Sequence, residues 1–352
     1  MRLVPHGRAC LMLALAAVAV GAPAATLDAR PRPEPTIAAP PPPPPTPDAS
    51  LGSRLLRDAA AYQGYLHRAE QISPNFASAQ HVAQSLQTSA AYEPGQFLRG
   101  EIAYGAVAAM QSPQFVAAVR AAGQTPEARY QVVRRIFADP ANVFAFPGAT
   151  AAAGLARQAI AGEGMRLFNV GKTVKQAAYD IQHQPWSLQE VPGRDARLQA
   201  VKDGSRAPMP VGPSDMATLA QASGGAQVLG LAPDNDPSTH YSRLIIRSVA
   251  LAALGAIGQA GDEQVGNITW LLDDYYTSHC LTEAKLALNG CLAVAKPNYE
   301  DVFCIGQHIL SDTGACMVRG AGSAIPLEIR TQPLKIPPPK HQAPARRAGR
   351  RH

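Results

Sequence analysis

Four cysteines near the C-terminal end, Cys280, Cys291, Cys304 and Cys316, are the residues best spaced to do chemistry. Thiols in such a set pair as disulfides, ligate a metal or act as nucleophiles. Cys291 and Cys304 lie six or seven residues either side of Pro297-Asn298, and Cys280 and Cys316 about eighteen either side. Proline interrupts a helix and restricts the residue before it. The spacing therefore predicts an αα-hairpin over 280–316, with its turn at Lys296-Pro297-Asn298. Residues equidistant from the turn face each other, which selects the nested pairing Cys280–Cys316 and Cys291–Cys304 from three connectivities. The alternative is zinc, with His279 beside Cys280 and His308 one turn after Cys304. Structural zinc sites favour C-x₂₋₄-C spacing, absent here. Disulfides are the preferred reading, and no metal or cofactor is expected. An even cysteine set also leaves no thiol free for catalysis.

Carboxylates are the second chemical possibility. Glu101 sits in the apolar run LRGEIAYGAVAAM. A carboxyl in apolar surroundings has a raised pKa and can serve as the general acid of glycoside hydrolysis. Asp273 and Asp274 lie between Leu272 and Tyr275, with Trp270 and Tyr276 near enough to form an aromatic-edged groove. The plainer reading makes Glu101 a solvated or capping carboxylate, and the Asp pair the polar face of an amphipathic helix. The chain has no G-x-S-x-G, H-E-x-x-H, Walker A or G-x-G-x-x-G signature. Asp234-Asn235-Asp236 lacks the glycine and distal glutamate of a calcium loop and reads as a turn. His240, His279 and His308 are read as isolated histidines.

The elements that must position these residues are helical. Proline-started, Ala- and Leu-rich runs fill 51–183, with starts at Ser112-Pro113 and Thr125-Pro126. Helices are expected over 149–161 and 163–182, with a short apolar loop at 142–148. Residues 184–236 are broken by six prolines and read as an irregular insertion or lobe with short helices near 195–202 and 215–222. The most apolar helix is expected from about Ser238 to Ala260, and another from Asp262 to Tyr275. Gly290 is expected to weaken the first arm of the hairpin. Gly314 is read as the residue ending the second.

The flanks differ in kind. Residues 1–25 read as a secretory signal peptide: Arg2 and Arg8, then an apolar run of about twelve residues, then Ala22-Pro23-Ala24. Its loss would remove Cys10 and leave the even set, as suits an oxidising compartment. Residues 26–50, with Pro40 to Pro45 unbroken, read as a disordered stalk. Residues 321–352 read as a disordered Pro- and Arg-rich tail. From Ile329 onward there are seven Lys or Arg and no Asp or Glu, so the net charge of +6 becomes about −1 without them. The basicity belongs to the tail, which argues against a folded nucleic-acid-binding face. Arg346, Arg347, Arg350 and Arg351 are candidates for holding an anionic envelope surface.

The expected molecule is thus an all-α protein with a single helical domain over 51–320, periplasmic or secreted, with no transmembrane span. Its expected role is a binding or scaffolding module of the cell envelope rather than an enzyme. A glycan hydrolase using a carboxylate acid is the first alternative, and a metal or redox protein using the cysteine hairpin the second.

Overall fold

Local chemistry starts most helices. The computed structural model describes residues 50–231 and 240–325. The expected signal, nearly all of the stalk, Asp234-Asn235-Asp236 and the arginines of the tail lie outside them. Thr125 accepts from the Ala128 N–H, and Pro126 takes the first position of α5, Pro126–Ala138. Glu93 accepts from Gly95 and Gln96 ahead of α3, Pro94–Ala109. Ser78 and Ser242 cap α2, Ala79–Ala90, and α9, Arg243–Ala256, in the same way. Each cap satisfies an N–H that has no partner inside its own helix.

The cap of α1, Ser53–Glu70, comes from far away. Gly52 has no side chain to offer. Asp262 fills the place: its Oδ1 accepts from the Arg54 N–H at 2.9 Å and its Oδ2 from Ser53 Oγ at 2.5 Å. Asp262 was expected to begin a helix of its own. Committed to α1, it is followed instead by turns, the short α10, Val265–Ile268, and a 3-10 turn, Thr269–Leu272.

The core is built on α3. Every residue from Gly100 to Met110 is buried. Gly100 lets the helix approach α1 so closely that a Cβ there would collide with Asp58 and Tyr62. α1, α6 (Ala149–Ile181) and α9 pack around it. The helix α6 is a single 33-residue element, where a break after Ala161 was expected. Gly162 and Gly164 are tolerated in the middle of so long a helix because tertiary contacts outweigh a propensity cost of about 1 kcal/mol each. α4, Pro113–Ala122, and α5 flank the bundle, and 140–145 is a 3-10 turn that buries Val143.

Residues 184–231 wrap back onto this core. α7, Arg194–Gly204, lies against α2 and α11, and α8, Pro213–Ser223, against α1. Glu190 bridges Pro297 in one antiparallel β-bridge, the only extended pairing among the described residues. The insertion is therefore tied to the tip of the hairpin.

The hairpin itself is α11, Tyr275–Val294, followed by a second arm of α12, Asn298–Cys304, a π-helical segment, Ile305–Ser311, and α13, Asp312–Gly320. Both nested disulfides are present, Cys280–Cys316 and Cys291–Cys304, with Cα–Cα distances of 5.7 and 5.8 Å. α11 runs unbroken through Gly290. Gly314 does not end the second arm; it lies against α6, where a Cβ would collide with Phe168 and Gly164.

The π segment has a reason in the numbering. Cys280 and Cys291 are eleven residues apart, which returns an α-helix to nearly the same face at about 3.6 residues per turn. Cys304 and Cys316 are twelve apart, which would leave the second cysteine about 100° out of line. A π turn absorbs the additional residue. The packing against α6 shows the same surplus. Gly164 and Gly171 are seven apart on α6; the glycines opposite them, Gly314 and Gly306, are eight apart.

Candidate functional site

Glu101 lies in the middle of α3 with its side chain fully buried. Neither carboxyl oxygen has a hydrogen-bond partner, nor does the buried Tyr62 hydroxyl. Burial pushes the Glu101 carboxyl well above the usual range, and the charge of Asp274 adds to the effect. Burial thus favours the protonated, neutral form of the group. It lines neither of the cavities described below, so it has no path to a substrate oxygen.

Asp274 is placed differently. It is the N-cap of α11: its Oδ2 accepts from the Thr277 N–H at 3.0 Å and from Thr277 Oγ1 at 2.8 Å. Asp273 is exposed. The two adjacent carboxylates therefore part, one to solvent and one inward.

Asp274 lines a cavity of about 440 Å³ where three helix ends meet. The start of α9 brings Arg243, the start of α11 brings Tyr276, and the end of α13 brings Arg319. The Cys280–Cys316 bridge forms part of its wall and fixes α11 to α13 beside the opening. Arg243 lies over the Tyr276 ring, 5.7 Å from its centre. Arg319 donates to Cys280 Sγ at 3.7 Å. Neither guanidinium pairs with a carboxylate among the described residues.

Tyr276 is the aromatic side chain on this cavity's wall, and further exposed rings occur near it in sequence. Tyr275 and Tyr276 are 70% and 67% exposed, and their rings meet edge to face. Tyr275 stacks on His279. Trp270 is 37% exposed and meets Phe137. Large apolar rings left together in water mark a contact surface more often than a solitary exposed one does.

Of the groove residues expected from the sequence, Asp274 and Tyr276 line this cavity, whereas Trp270, Asp273 and Glu101 do not. The sequence also gives no sign of Arg243 and Arg319, which belong to helices far apart in the chain. The one local signal was Ser242-Arg243, a cap followed by a base at a helix start. The histidines do not join the cysteines in a metal site. His308 Nδ1 faces Asp312 at 3.0 Å, and His279 faces Glu283 at 3.9 Å. Both sulfur pairs are oxidised, so none is a thiolate. No cluster of three potential ligands occurs among the described residues, and no described helix is long and apolar enough to cross a membrane. No known family, curated protein or solved structure matches this chain.

Proposed function

We propose that this chain is an exported binding module of a cell envelope, and that the cavity beside Cys280–Cys316 takes an acidic glycan. The observation that carries this is the convergence of two guanidiniums without carboxylate partners, Arg243 and Arg319, with the exposed ring of Tyr276 at one cavity, Tyr275 packing edge to face on that ring. Flat aromatic faces cover the apolar faces of sugar rings, and guanidiniums pair with carboxylate or phosphate oxygens in a fixed fork. The N-terminal charge and apolar pattern and the two disulfides suit an exported protein. The basic tail would add long-range attraction to the same class of ligand.

Equilibrium binding of an oligo-glucuronate, against its neutral gluco-oligosaccharide counterpart, tests the reading. Arg243→Ala and Arg319→Ala each weaken oligo-glucuronate binding about tenfold, which corresponds to about 1.4 kcal/mol. Added salt weakens binding further. Equal binding of the two oligosaccharides, or no effect of either substitution, defeats the proposal.

Asp274 on the cavity wall supports a second reading, a hydrolase acting on such a glycan. Binding is preferred because one oxygen of Asp274 is already spent on the α11 cap and Glu101 is sealed away. Turnover of the oligosaccharide that disappears in Asp274→Asn, with folding intact, would reverse that preference.

A further inference from the structure

A second cavity lies on another face of the molecule, and nothing in the glycan reading uses it. It is larger, about 470 Å³, and sits between α2, α7 and the start of α12. Its walls are mostly apolar, with Val82, Ala83 and Leu86 from α2, Val191 ahead of α7, and Ala196 and Val201 from it, while Gln80 and Gln87 of α2 also line it. One end is polar, where Arg197, Asp301 and Asn298 meet. Small-molecule sites are typically concave and mostly apolar, with a few placed polar groups that orient the ligand.

The polar end is unusual in its charge. The Arg197 side chain is 10% exposed and that of Asp301 only 3%. Arg197 gives Nη1 to Asp301 Oδ1 and Nη2 to the Leu292 carbonyl. Its Nε–H is buried and has no partner. Next to it, Arg194 spends its N–H groups on the Ala295 and Ala293 carbonyls, which are neutral acceptors. Two guanidiniums thus face one buried carboxylate, and the nearby Glu300 accepts from the Lys296 backbone N–H. A buried donor without a partner costs roughly 1–3 kcal/mol, so the site gains by taking an acceptor there.

We propose that this cavity binds a small amphiphile with an alkyl body and a carboxylate head: the chain lies between α2 and α7, and the head meets Arg197. Side-chain adjustment at Arg197 opens the Nε–H to the head group. The insertion 184–204 exists, on this view, to build one wall of a binding site, and its bridge to Pro297 holds that wall in place.

The test uses the oxidised full-length chain in calorimetric titrations with octanoate and decanoate. Decyltrimethylammonium serves as the twin with the opposite charge. Saturable one-to-one binding of decanoate is expected, tighter than octanoate and at least tenfold tighter than the cationic twin. Ala83 and Ala196 are exposed, so Ala83→Phe and Ala196→Phe fill the cavity without displacing a core side chain. Each should weaken decanoate binding at least tenfold, with an unchanged melting temperature. Arg243→Ala and Arg319→Ala should leave it unchanged, which separates this site from the glycan cavity. Any of three results overturns the proposal: no saturable binding of either carboxylate, equal binding of decanoate and its cationic twin, or full binding retained in both folded phenylalanine variants.

Discussion

Lys285 and Glu101 are both ionisable and both buried in this helical bundle, and the molecule treats them in opposite ways. Lys285, on α11, gives its Nζ to the Ala90 carbonyl at 2.6 Å and to Ser205 Oγ at 3.1 Å. The same nitrogen lies 3.6 Å from the centre of the Tyr92 ring. It ties the end of α2 and the end of α7 to the hairpin. Glu101, on α3, has no partner for either oxygen. Burial pushes both groups toward neutrality, the lysine down and the carboxyl up, with Glu93 partly offsetting the shift at Lys285. Burial alone therefore does not reveal a role. The partners do: one group joins three elements, and the other is an unrepaid cost at the centre of the core.

Breaking the well-partnered side should have the largest effect. Lys285→Ala leaves a cavity and removes the ammonium that joins the Ala90 carbonyl to Ser205, and is expected to lose about 3 kcal/mol in urea unfolding. Glu101→Met keeps the volume and removes the stranded polar atoms. It is expected to gain about 1–3 kcal/mol at pH 8. The sign with pH follows from proton binding. Above the unfolded value of 4.5 the unfolded chain has released the Glu101 proton and the folded chain keeps it, so this group makes stability fall as pH rises. Lys285 works the other way below 10.5, where the unfolded chain holds a proton that the folded chain resists. The difference between wild type and Glu101→Met, measured from pH 5 to 8, should grow steadily; a flat difference would show that Glu101 is ionised in the fold.

The smallest effects come from the adjacent carboxylates. Asp274→Ala removes the α11 cap and should cost about 1 kcal/mol. Asp273→Ala, at an exposed site, should change stability by less than about 0.5 kcal/mol. Equal costs would mean that the cap contributes nothing.

What the sequence made legible was whatever depends on near neighbours. The disulfide pairing followed from equal distances to Pro297, because an antiparallel hairpin converts sequence spacing directly into proximity. The acid in LRGEIAYGAVAAM was legible only in part: the plainer reading, a solvated or capping carboxylate, is overturned by its full burial, because the face it occupies on α3 is enclosed by helices distant in the chain. Lys285 gave no signal of burial: in TEAKLALNG it looks like an ordinary solvated base, and its partners come from α2 and α7. Asp262 read as a helix start because capping residues look alike whether they serve the next helix or a distant one. Arg243 and Arg319 meet only because α9 and α13 end at the same place, a relation among helices and not among neighbouring residues.

The π segment carries a consequence for how this chain can change length. A single-residue loss within 307–311 of the π segment would turn that stretch into ordinary α-helix. Cys304 and Cys316 would then be eleven apart, like their partners, and Gly306 and Gly314 seven apart, like Gly171 and Gly164. The same loss anywhere between Cys280 and Cys291 would leave ten residues against twelve and twist the two bridges out of line. The hairpin thus holds one residue of slack in a single place, where the chain could be shortened by one residue with both cross-links kept in register.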